Sequence, residues 1–75
     1  MKIKPIYSFD ENDVLKIEKL PTDKKSEEIY QRFGLSKNTQ TVILWKSGKK
    51  IILRTGENKL ALSERAAEKI YASKI

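Results

Sequence analysis

The sequence predicts a small all-β barrel with one helix between its first and second strands. Three observations predict it. Short segments rich in aliphatic and β-branched residues recur at strand length: "VLKIEKL", "TQTVILWK", "KIILRT" and "KLAL". Tight-turn sequences, "KSGK" and "TGEN", separate the last three. Only "TDKKSEEIYQRFGL" breaks the pattern, with capping residues at its start and a glycine stop. A flat sheet this small would leave its edges and half its core bare, so the strands are expected to curl.

The elements follow in order. "SFDEND" (8–13) is polar and turn-rich, so the first regular strand begins near Val14. In "VLKIEKL", Leu15 and Ile17 share one face and Lys16 and Glu18 the other. Pro21 ends the strand, because it cannot donate to a ladder. The helix spans about 24–33, capped by Thr22, Asp23 or Ser26, with Glu27 and Glu28 near its positive end. Ile29 and Phe33, four apart, are expected to face the core, and Glu28 and Arg32 to pair on the wet side. Gly34 supplies the C′ position at positive φ, and Leu35 packs back.

Three hairpin-linked strands come next. Val42, Leu44, Ile51, Leu53, Leu60 and Leu62 form the expected inward set at period two, with Ile43 and Trp45 opposite. Trp45 is then either a lid over a barrel end or an exposed contact residue. Gly56 stands first in the central pair of "TGEN", where a type II′ turn needs it. Read by itself, the end "NKLALSERAAEKIY" gives a strand and then a helix capped by Ser63.

Composition narrows the function. Seventy-five residues make one small domain with a thin core. No apolar run approaches the roughly 20 residues of a membrane span. The N-terminus lacks a hydrophobic signal core, and a cytosolic protein is expected. The chain has no His and no Cys. It therefore lacks an ordinary base near neutral pH, the common nucleophilic triads, and zinc ligands of the N or S kind. An enzyme is not expected. A direct metal site would have to come from Asp10, Glu11 and Asp13, and a solvated acidic turn is the simpler reading of those residues.

The net charge of +6 is unevenly spread: residues 10–28 carry seven acids against four lysines, and residues 37–59 carry six cations against Glu57 alone. A one-sided field of this kind suits an acidic partner, an anionic surface or nucleic acid; lysines that solubilise strands are the simpler alternative. Only three of the sixteen cations are arginine, the better fork for phosphates, which weighs against nucleic acid.

Three motifs, in order and spacing, resemble the FeoA family of bacterial ferrous iron transport. They are "IYQRFGLSKNTQTVIL" (29–44), "KLALSERAAEKIYAS" (59–73) and, more weakly, "VLKIEKL". Together they cover about residues 3 to 73. The resemblance implies an SH3-like barrel of about five antiparallel strands. It also replaces the C-terminal helix with a short helical turn near 63–67, lodging Ala66 against the barrel, and a closing strand. In that strand Ile70 and Ala72 share one face, and Tyr71 and Ser73 the other.

The resemblance further implies a non-enzymatic accessory protein. Its partner would be a FeoB-type transporter with a cytosolic G domain, and no cofactor is expected. A similar domain at the C-terminus of iron-dependent repressors leaves a metal-responsive regulatory domain as an alternative, beside a basic barrel that binds nucleic acid. Lys37-Asn38 replaces the family's usual Pro-Gly turn, and Asn12-Asp13 stands where glycine is common. Asparagine tolerates the left-handed conformation both turns need. The expected contacts with a partner are backbone edges and the basic hairpin, with Trp45, Lys46, Lys49 and Lys50, on a monomer.

Overall fold

The computed structural model describes residues 2–75. A two-residue strand β1 (Lys4–Pro5) runs into a 3-10 turn (Ile6–Ser8). Strand β2 (Val14–Lys19) follows, then helix α1 (Lys24–Arg32) and the meander β3 (Gln40–Lys46), β4 (Lys50–Thr55) and β5 (Asn58–Ser63). A one-turn helix α2 (Glu64–Ala67) leads to β6 (Tyr71–Lys74). Among the described residues the strands form one six-stranded antiparallel sheet, in the order β1-β6-β2-β3-β4-β5.

The expected closed barrel does not form. The sheet is open, with β1 and β5 at its two ends. The physical reason lies in β1. It has two residues, Pro5 has no N–H to give, and its register is taken up by Ala72 and Tyr71 of β6. Nothing remains to reach across to β5. Ile6, Phe9, Tyr30, Leu35 and Ala67, all outside the long strands, are buried in the same core.

Local chemistry sets the element ends. Asp23 caps α1, its carboxylate accepting the Ser26 N–H at 3.2 Å. Gly34 follows the helix at φ +74°, and the Leu35 N–H turns back to the Tyr30 carbonyl at 2.8 Å. Asn38 and Asn12 both take positive φ, 73° and 71°, as their turns require. Gly56, at φ +62°, begins the two-residue turn between Thr55 and Asn58. Ser63 caps α2 by accepting the Ala66 N–H. The C-terminal segment is a helical turn and then a strand, but β6 sits between β1 and β2 and does not close an edge beside β5.

Two expected faces are wrong, those of β3 and α1. In β3, Thr41 and Ile43 are buried, whereas Val42 and Leu44 are half-buried on the outer side. Pairing decides this: Thr41 lies opposite Leu15, and Ile43 opposite Leu53, both in the core. The Thr41 hydroxyl tolerates burial because it donates to the Arg54 carbonyl at 2.9 Å and accepts from the Thr55 hydroxyl. In α1 the buried residue is Tyr30, and Ile29 is 48% exposed. The inward stripe runs Ser26, Tyr30, Phe33, and the sole ion pairs among the described residues are Lys16–Glu18 and Lys74–Asp13, so Glu28 and Arg32 do not pair. In α2 the residue sunk fully into the core is Ala67, with Ala66 packed beside it.

Candidate partner-binding face

The outer face of β3, β4 and β5 is built from cross-strand rows. Partners in register share a face. One row therefore runs Val42, Arg54, Lys59, and the next runs Trp45, Ile52, Ala61. Lys50 and Ser63 form a third row, beside the turn at Ser47–Lys49. An apolar row thus lies between two cationic ones. Trp45, 45% exposed, is its largest member.

Trp45 stands outside because of a bulge. Ile43 pairs with Leu53 and Trp45 with Ile52, so Leu44 is an extra residue with no partner. The same bulge turns Lys46 toward Ile51 and the interior end of the sheet. Its ammonium donates to the Phe9 carbonyl at 2.9 Å and lies 5.0 Å from the centre of the Tyr7 ring. The Tyr7 hydroxyl donates to the Ser47 carbonyl at 2.6 Å. Partial burial, then the Glu64 and Glu68 carboxylates, push the Tyr7 phenol above its ordinary value.

Of the four expected contact residues, Trp45, Lys49 and Lys50 are exposed and close in the chain, and Lys46 is half-buried with its ammonium held by the Phe9 carbonyl. Ser47 shapes their turn: its hydroxyl accepts the N–H groups of Lys49 and Lys50. Arg54 and Lys59 lie outside the expected set yet complete the outer face. Their alternation with Leu53 and Leu60 is the signal that finds them.

The three N-terminal acids do not gather. A Glu11 carboxylate oxygen accepts the Lys46 N–H at 2.9 Å. Asp13 accepts the Asp10 N–H at 2.9 Å and pairs with Lys74 at 3.3 Å. That backbone bond first, and Lys74 second, hold the Asp13 carboxyl below its ordinary value. No group of three His, Cys, Asp or Glu residues placed to hold a metal exists among the described residues. A separate cleft of about 280 Å³ lies between the end of β2 and α1, walled by Leu20, Pro21, Tyr30 and Leu35. No helix among the described residues is long and apolar enough to cross a membrane.

At the level of sequence, no family model and no curated protein matches the chain. Solved structures do. The chain is similar to the crystal structure of an iron uptake regulatory protein, FeoA, with a TM-score of 0.88 over 99% of this chain and 100% of that one, at 15% identity. This is the FeoA fold. The NMR structure of a FeoA-like protein from Clostridium acetobutylicum shares it: TM-score 0.81, 18% identity, covering 100% of this chain and 90% of that chain. The FeoA fold also forms part of a manganese-dependent transcriptional repressor, at TM-score 0.85 and 13% identity. There the match covers 97% of this chain and 42% of the repressor.

Proposed function

We propose that this chain is a cytoplasmic FeoA-type accessory protein of ferrous iron transport. It works without chemistry of its own, as a single domain that docks on the cytosolic part of a FeoB-type transporter GTPase. The observation that carries this reading is the FeoA fold matched end to end, 99% of this chain against 100% of the iron uptake regulatory protein. The outer face supports it, with exposed Trp45 beside Lys49 and Lys50 as the contact residues for an acidic protein surface. Lys46 serves indirectly, by holding the hairpin against Phe9 and Tyr7.

Pull-down with the transporter's cytosolic domain, with and without guanine nucleotide, tests the proposal. Binding in at least one nucleotide state, with a change in GTP hydrolysis, is the expected result. A folded sample that binds in no state overturns it.

A metal-responsive role is the second reading, favoured by the match to the manganese-dependent repressor. A Fe²⁺ or Mn²⁺ titration followed by amide shifts separates the two. Saturable shifts centred on Asp10, Glu11 and Asp13 would support the second. Nucleic-acid binding has a different signature: affinity for random strands that falls steeply with salt.

A further inference from the structure

Among the described residues, the open sheet leaves β5 with no strand on its outer side. Which of its main-chain groups are free follows from the hairpin. In a two-residue hairpin the flanking residues, here Thr55 and Asn58, exchange backbone hydrogen bonds, and the pattern then alternates. Asn58, Leu60 and Leu62 therefore point their N–H and C=O groups at β4. The Glu64 N–H bonding to the Lys49 carbonyl at 3.0 Å continues the same alternation and verifies it. Lys59 and Ala61 point theirs away from the sheet. Neither residue's main chain meets a partner among the described residues, and both residues are exposed.

The charge at this edge is unbalanced in the same place. Arg54 and Lys59 stand directly opposite each other on the outer face. Like charges in that position repel. Neither takes part in an ion pair among the described residues. Beside them lies the apolar row of Trp45, Ile52 and Ala61. On the other face, Leu60 and Leu62 of β5 form the rim of the core.

We propose that the free edge of β5 accepts an extended, acidic segment of a partner protein as a seventh strand. Its backbone pairs with the N–H and C=O groups of Lys59 and Ala61. A carboxylate opposite Lys59 neutralises the Arg54–Lys59 pair, and its alternate, apolar side chains extend the core past Leu60 and Leu62. A second copy of this chain is a poor occupant. It would bring two more like-charged pairs to the seam, and a lysine in mid-edge is a known guard against self-pairing. Nucleic acid would match the charge but supplies no ladder of amide donors and acceptors. The proposal rests on reading the chain as a docking protein.

The test uses the ¹⁵N-labelled protein and a short, blocked peptide alternating valine and glutamate. The peptide is expected to shift the Lys59 and Ala61 amides and slow their exchange, with little change at Leu60 and Leu62. Lys59→Glu, an exposed substitution, should weaken binding about tenfold, and the peptide with lysine in place of glutamate should not bind. An unchanged exchange rate at Lys59 and Ala61 overturns the proposal, as does equal binding of the lysine peptide. Two further results overturn it: a dimer in sedimentation with those amides already protected, or an oligonucleotide that binds these cations where the peptide does not. If the peptide binds and the transporter does not, the edge stands and the proposed partner falls; the converse keeps the partner and removes this docking mode.

Discussion

The two ends of this sheet are built to opposite purposes. At one end β6 is sealed. It lies between β1 and β2, Ile70 and Ala72 are fully buried, and Ser73, 2% exposed, gives its hydroxyl to Glu18. The Ile6 N–H bonds to the Ile70 carbonyl at 2.7 Å, and Lys74 pairs with Asp13. At the other end β5 buries Leu60 and Leu62 on its inner face and nothing along its outer edge. Two residues of β1 suffice to close one side of a 75-residue protein. β6 is thus held on both sides, and the β5 edge is the one beside the cations and the tryptophan.

Substitutions should respect this division. Ile70→Ala removes a fully buried side chain at the sealed end and should cost about 2–5 kcal/mol in urea or thermal unfolding. A loss as small as that of a surface mutation would mean β6 is not the anchor.

Ser73→Ala is the next sharpest probe. The Ser73 hydroxyl first, and Lys16 after it, hold the Glu18 carboxyl below its ordinary value. The variant should let that value rise toward the ordinary one in a side-chain carboxyl titration, and should lower the unfolding midpoint.

Acid should act on the same end. Asp13 and Glu18 both have depressed values in the fold, so the unfolded chain takes up their protons first as pH falls. Their stabilisation is complete above the ordinary carboxylate range and is lost as pH drops through the depressed values. Asp13→Asn should flatten this loss, and exchange at low pH should open β6 before β4. A flat response, or β4 opening first, would break the contrast.

The smallest effect belongs to the open side. Lys59→Glu should leave stability within about 0.5 kcal/mol of the parent, since the side chain is exposed and forms no ion pair among the described residues.

What could be read from the sequence, and what could not, divides along a physical line. Features set by local backbone chemistry were legible. Gly34, Asn38 and Gly56 take the left-handed values their turns demand, and Asp23 caps the helix. The C-terminal turn and strand come from the family resemblance, since those residues by themselves read as a helix. Features set by distant partners were not. "TVILW" is apolar at both parities, so only the pairing of Thr41 with Leu15 and of Ile43 with Leu53 chooses the inner face. In α1, Ile29 and Tyr30 compete for the core, and sequence spacing alone does not choose Tyr30. The open sheet depends on where β1 lands, which "KP" does not announce. At the candidate face the exposed cations are visible as a charge run, but the bulge that aims Lys46 at Phe9 and Tyr7 is not.

That bulge at Leu44 has an optical consequence. Without the extra residue, Trp45 would follow the parity of Ile43 into a thin interior; with it, the only indole in the chain faces water beside the open edge. Its fluorescence should therefore be red-shifted in the folded protein and change little on unfolding. A partner that covers the outer face would move the emission to the blue, so the chain carries its own dye for docking and is nearly blind, by that signal, to folding.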